Sequence, residues 1–376
     1  MAEPTELLRE LIAFPTVSAS SNTEITDFIE SQLKTRGFET ERIEYVDAAG
    51  VSKSNVVGRL GDGAGGLAWF GHSDVVPADD WSHSDAGPWQ AVEADGRLYG
   101  RGSCDMKGSL ACMLAAVDRR SSAKLNSPIY ITVTADEEVG YIGASRVAAE
   151  SALFEQMVSG DVNGIIGEPT SLNVVYAHKG SIALRCTSRG LAAHSSQSHG
   201  VNANLKMIPF LNEMRAIYDE VDGNPHWQNN EFSPPGLSWN IGINDHTHAI
   251  NITPAQSVCT VYFRPMPGID PAPLIDRARG AAEVSGLEFE VAFRGEPMYV
   301  DPESPFIREL LAVSRQPEAK TVCYGTDGAV LTRLRKLAVF GPGSIEQAHM
   351  ADEYIELSQL DAGTAAYSDL IAAWCV

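Results

Sequence analysis

Several apolar runs in this chain stop at residues that bind cations or move protons. GLAWFG is followed by His72-Ser73-Asp74, IYITVTA by Asp136-Glu137-Glu138 and GIIG by Glu168-Pro169, while KLAVFGPG leads into a loop carrying His349. Asp105 adds another group in GRGSCDMKGSL, just before a helical stretch. Singly, each has an ordinary reading: Asp105 as an N-terminal helix cap, Glu137 and Glu138 as solvated loop charges, His72 and His349 as polar side chains. Their shared placement argues otherwise, because open α/β sheets bind ligands at the carboxyl ends of their strands.

Imidazole nitrogen with carboxylate oxygen and no thiolate suits Zn²⁺, and also Mn²⁺ or Co²⁺. Two histidines and three carboxylates are too many for one tetrahedral zinc that keeps a position open for water. They suit two ions about 3.5–4 Å apart with one carboxylate bridging them. Two dications against three carboxylates leave one net positive charge, which stabilises an oxyanion and acidifies water. Such a site hydrolyses carbonyl or phosphoryl compounds. Neighbouring strand side chains point to opposite faces, so for Glu137 and Glu138 to serve one site the backbone must leave strand geometry by Glu137.

The elements that must position these groups follow from the pattern. Up to about residue 177, strand-like NVVGRL, GLAWFG, IYITVTA and NGIIG alternate with helix-like GSLACMLAAVDRR and GASRVAAESALF, which predicts an α/β sheet covered by helices. Leu7, Leu8, Leu11 and Ile12 recur at helical spacing and predict an amphipathic helix at the start. Between 178 and 297 the order becomes strand-helix-strand-strand-helix-strand, which suits a small α+β sandwich. From 298 to 376 the α/β style returns, with helices at 303–315 and 357–374. The expected organisation is therefore a catalytic domain of 1–177 and 298–376 interrupted by an inserted domain of 178–297. The glycine-rich GDGAGG at 61–66 feeds a strand rather than a helix, so it reads as a hairpin turn and not a phosphate cradle, which tells against a kinase.

Composition narrows the partners. The 376 residues carry 49 acidic against 28 basic side chains, a net charge of -21, which repels nucleic acid and anionic membranes. No apolar stretch reaches the roughly 18 residues of a membrane span, and the acidic start does not look like a secretory signal. Cysteines 104, 112, 186, 259, 323 and 375 are scattered without a CxxC pair, so a reduced, cytoplasmic protein is expected.

GHSDVVP, GRGSCDMKG, TADEEVG, IIGEPT, AHKG, GLAAHSS, FRPMPG and GPGSIEQAHMADEYIEL, spread over nearly the whole chain, resemble the M20 metallopeptidase family of di-zinc amidohydrolases. AHKG, GVNA and GPGSIEQAHMADEYIEL are most similar to its acetylornithine-deacetylating branch. The resemblance implies a mixed-sheet, zinc-peptidase-like catalytic domain with a smaller lid and dimerisation domain, and two Zn²⁺ per chain. It implies that His72, Asp105 and Glu168 hold one zinc and Asp105, Glu138 and His349 the other, with a cis peptide after the bridging Asp105. Asp74 would orient the His72 imidazole. Glu137 would be the general base that takes a proton from water and passes it to the leaving nitrogen. His194 would reach the partner subunit's site and stabilise the oxyanion.

Four more residues are candidates for substrate contact. Arg264 suits a substrate α-carboxylate, against a structural ion pair at the domain hinge. Asn251 and Thr326 are weaker candidates of the same type. Glu353 would face a substrate amine, or else be a surface charge. The expected reaction is amide hydrolysis of an N-acyl amino acid, N-acetylornithine or a near relative, by a homodimer. The rivals are a desuccinylase, a carboxypeptidase or dipeptidase, and a metal-free binding protein on the same fold.

Overall fold

Among the described residues, 3–376 of the computed structural model, the chain divides into two compact units. The first comprises residues up to Ala177 with Tyr299–Thr321 and Thr326–Val376; the second comprises His178–Met298 with Val322–Gly325. Residues 322–325 join the second unit because Lys179 N donates to the Val322 carbonyl and Cys323 Sγ to that of Ser233, whereas the sequence places them in the returning catalytic segment. The N-terminal helix forms over Pro4–Ile12 and buries Leu7, Leu8, Leu11 and Ile12; Met1 and Ala2 lie outside the described residues.

The first unit is built on a nine-stranded mixed sheet. Leu67–His72 lies between Ile129–Thr134 and Asn163–Ile166, and Leu337–Val339 follows, all four parallel. Glu39–Val46 and Ser52–Leu60 continue the sheet antiparallel on one side. Leu67–His72 and Ile129–Thr134 are buried at every position, which is why they read as unbroken apolar runs: strands covered on both faces have no solvent side on which to alternate. The parallel centre sends its carboxyl ends to one rim. GDGAGG is not a hairpin, because Ile129–Thr134 inserts between the two strands it joins.

The second unit follows the strand-helix-strand-strand-helix-strand order. Its four-stranded antiparallel sheet runs Asn240–Asn244, Gln256–Phe263, Ser181–Arg189, Glu288–Gly295, with helices Ala203–Val221 and Ala272–Val284 packed against it. Gln256–Phe263 and Glu288–Gly295 show burial patterns close to strict alternation, as expected when one face packs and the other meets solvent. Among the described residues no helix is long and apolar enough to cross a membrane.

Candidate metal centre

His72 ends its strand and is 1% exposed. Its Nδ1 lies 2.9 Å from the carbonyl oxygen of Asp74, which leaves Nε2 facing carboxylates, 3.2 Å from Asp105 Oδ1 and 3.6 Å from Glu168 Oε1. His349 Nε2 approaches Asp105 Oδ2 at 3.3 Å and Glu138 Oε2 at 3.1 Å. Asp105 therefore offers one oxygen to each imidazole, the geometry a bridging carboxylate needs. Atoms able to bind a metal come within 4.8 Å of one another in two groups, His72 with Glu137 and Glu168, and His72 with Asp105 and Glu138.

Local backbone makes this convergence. The Ile129–Thr134 strand stops and Asp136 takes a left-handed conformation at φ +57°, so Glu137 and Glu138 sit in a turn, off the alternating pleat. Asp74 holds that turn: its Oδ1 accepts from Glu137 N at 3.2 Å and its Oδ2 from Glu138 N at 3.4 Å and Ser18 Oγ at 2.7 Å. Asp74 does meet the His72 imidazole, and it does so through its main chain. The nearest carboxylate oxygen stands 3.7 Å from Nδ1, and the main-chain carbonyl of Asp74 does the orienting because the carboxylate is already committed to the turn.

Asp105 precedes the helix Lys107–Arg119, whose N-cap is Met106 without a side-chain cap bond, so its carboxylate is not spent as a helix cap. The Asp105–Met106 peptide is cis. Its loop is folded around Glu353, the residue expected at a substrate amine. That expectation is overturned. Glu353 is 1% exposed and accepts from Gly102 N at 2.9 Å, Cys104 N at 2.8 Å, Asp105 N at 3.0 Å and Arg101 Nη1 at 2.9 Å. With four donors on two oxygens, it serves as the anion at the centre of the Asp105 loop, four residues after His349. Gly102, at φ +80°, permits the turn that aims these amides inward. Arg101 also donates to the carbonyls of Met350 and Pro77; nothing in its local sequence sets it apart from a surface arginine.

Thr326 is also corrected: it is fully buried and its side chain accepts from Gly328 N as the cap of a short helical turn, out of a substrate's reach. His194, Asn251 and Arg264 belong to the second unit. His194 is exposed, with Nδ1 2.8 Å from Ser196 Oγ, and Asn251 lies beside it, its carbonyl accepting from Ser195 N at 2.9 Å. Arg264 donates to Ser181 Oγ at 2.6 Å and, among the described residues, makes no ion pair, so the structural ion-pair reading falls.

The electrostatics of the cluster call for cations. Burial, with the charges of neighbouring carboxylates, pushes Glu137, Glu138 and Glu168 above the usual carboxylate range, Glu137 and Glu168 well above it. Burial opposes charge on His72, yet the Asp105 hydrogen bond and the charges of Glu168 and Glu137 raise its pKa well above normal. Hydrogen bonds to the carboxylates of Asp105 and Glu138 lift His349 to about 10. Burial alone would raise Asp105, but His349 and His72 hold it low. Carboxylates packed this closely need positive charge among them. Two imidazoles and four carboxylates without a thiolate fit divalent ions such as zinc.

Residues 68–373 match the peptidase family M20/M25/M40. The chain belongs to this family and is a metal-dependent amidohydrolase. It is similar to acetylornithine deacetylases: 33% identity to that of Myxococcus xanthus, over 98% of this chain and 96% of the relative, and 32% to that of Photorhabdus laumondii subsp. laumondii, over 99% and 97%. The fold matches the M20 metallo-carboxypeptidase Sso-CP2 of Sulfolobus solfataricus at a TM-score of 0.75 and 16% identity, covering 99% of both chains. It matches human carnosine dipeptidase 1 at 0.74 and 16%, covering 98% and 96%.

Proposed function

We propose that this enzyme removes the acyl group from an N-acyl amino acid, with N-acetylornithine as substrate and two zinc ions as cofactors. The observation that carries the substrate is the near full-length identity to acetylornithine deacetylases. A dinuclear metal-binding M20 peptidase of Bacillus subtilis shares the fold at a TM-score of 0.65, in keeping with a two-metal reading. His72, Asp105 and Glu168 would hold one ion, and Asp105, Glu138 and His349 the other. Bound there, the ions supply Lewis acidity to the scissile carbonyl and acidify the attacking water.

Glu137 is assigned the proton transfers. The residue is 8% exposed and its carboxylate makes no hydrogen bond to protein among the described residues, so it is free to take the water's proton and return it to the leaving nitrogen. Its raised proton affinity suits a group that must hold the proton between those steps. Arg264 and Asn251 are assigned to the substrate carboxylate, and His194 to the oxyanion of a partner subunit.

Residues 178–297 are assigned the lid and dimerisation role. Leu191, Leu205 and Ile250 are 52%, 66% and 105% exposed, apolar side chains of the kind a second copy would cover. The reading places the enzyme in the cytoplasm, in arginine biosynthesis.

A hydrolysis panel of N-acetyl, N-succinyl and N-formyl amino acids and dipeptides, with added Zn²⁺ or Co²⁺, tests the substrate. Fastest turnover of N-acetylornithine supports the assignment, and a preference for succinyl compounds or dipeptides refutes it. Mixing His194→Ala with Glu137→Gln protein should restore activity; confirmed heterodimers without rescue would remove the His194 assignment.

A further inference from the structure

Tyr45 and Lys53 are directly opposite each other in the antiparallel pair Glu39–Val46 and Ser52–Leu60, and opposed residues project from the same face. Both side chains end on Asp136. Lys53 Nζ stands 2.8 Å from Oδ1, and the Tyr45 hydroxyl donates to Oδ2 at 2.8 Å. Lys53 is 2% exposed and Asp136 1%; the ammonium also donates to the carbonyls of Ser18 and Ser20.

A buried ion pair is a weak source of stability, because desolvation cancels most of the attraction and apolar residues of similar volume often serve as well. What this pair does provide is a fixed position. Asp136 is the residue at φ +57° where the chain leaves the strand, immediately before Glu137. Asp74 holds the next two residues by their amides. Ser18 ties the two anchors together, since its hydroxyl donates to Asp74 and its carbonyl accepts from Lys53. The turn is thus gripped through a side chain at Asp136 and through main chain at Glu137 and Glu138.

We propose that Lys53 and Tyr45 are positioning residues for the reaction: acting through Asp136, they set where the Glu137 carboxylate stands. Neither touches substrate. The inference rests on Glu137 being the general base. Among the described residues the Glu137 carboxylate makes no protein hydrogen bond, so its placement depends on the backbone that carries it, which Asp74 holds by the Glu137 amide.

Lys53→Met alone strands the Asp136 charge and risks misfolding, so the informative variants are Tyr45→Phe and the double variant Lys53→Met/Asp136→Asn, which removes both charges. Each is assayed as full-length, zinc-loaded protein on the best substrate of the panel, with zinc content and Tm measured. The double variant is expected to lose about 10²-fold in kcat, the scale of a 1 Å misplacement of a reacting group, with KM and zinc content unchanged. Tyr45→Phe should show a smaller loss of the same kind, and it decides the matter if the double variant does not fold. Wild-type kcat in the folded variants overturns the inference, even with a lowered Tm, because that pattern marks a purely structural pair. Loss of zinc in place of kcat overturns it too. Glu137→Gln, run alongside, separates the premises: if it is inactive while the anchor variants are normal, only the anchor fails, whereas an active Glu137→Gln removes the base assignment itself.

Discussion

In the first unit Leu67–His72 and Ile129–Thr134 are buried along their whole length, and polar groups emerge only where the strands stop. In the second unit Gln256–Phe263 and Glu288–Gly295 alternate, and Glu288, Glu290 and Arg294 leave the sheet on the exposed side of the second of these strands. Arg185 with Glu290 and Arg189 with Glu288 then form cross-strand pairs that are more than half exposed. Charges of the same types thus meet opposite fates. On the alternating sheet they are solvated and worth about 0–1 kcal/mol a pair. At the rim they are crowded and shifted in proton affinity, which is the setting in which catalytic groups are found. The proposed function puts the hydrolytic chemistry at the sheet whose faces are both covered.

That contrast is sharpest at Glu137. Glu137→Gln is expected to lower kcat by about 10³-fold while both metals remain, measured by steady-state kinetics with elemental analysis; retained turnover breaks the contrast at its centre. Next in size is Glu353→Gln, which replaces the acceptor of three loop amides and an arginine. It should weaken metal binding about 10–100-fold, the usual scale for groups that orient ligands, as read by competition with a chromogenic chelator. Unchanged affinity would mean that the Asp105 loop holds its shape without Glu353.

The second unit has a buried imidazole to set against the rim. Burial holds the His178 imidazole down at about 4, against an ordinary 6.5. Between those values the unfolded chain binds more protons than the folded one, so this contribution to stability is complete above about pH 6.5 and is lost as pH falls toward 4. His178→Gln should flatten that part of the stability curve in denaturant titrations; an unaltered slope places the acid sensitivity elsewhere. The smallest effect is expected for Arg185→Ala, which breaks an exposed pair and should shift stability by less than about 1 kcal/mol. A larger loss would show that the solvated sheet relies on its charges after all.

Much of the rim was legible because its cause is local. An apolar run that stops at His72, Glu137 or Glu168 marks a strand end, and parallel strands bring such ends together. The turn at Asp136 followed from requiring two adjacent glutamates to serve one place. The misreadings have a common origin in distance along the chain. GDGAGG reads as a hairpin because its two flanking strands are neighbours in sequence, yet Ile129–Thr134 lies between them in the sheet. Glu353 reads as a free carboxylate until the loop some 250 residues earlier is wrapped around it. Lys53 and Tyr45 look like ordinary residues of a polar edge until Asp136 closes over them.

The sequence by itself determined which segments are buried, where they stop and which side chains stand at the stops, since these depend on hydrophobic pattern and on the fixed geometry of parallel strands. Only the tertiary structure decided which carboxylates face the cluster and which are consumed in holding its loops. That division is set by which donors arrive from distant segments, and a carboxylate already satisfied by four hydrogen bonds has nothing left to offer a substrate.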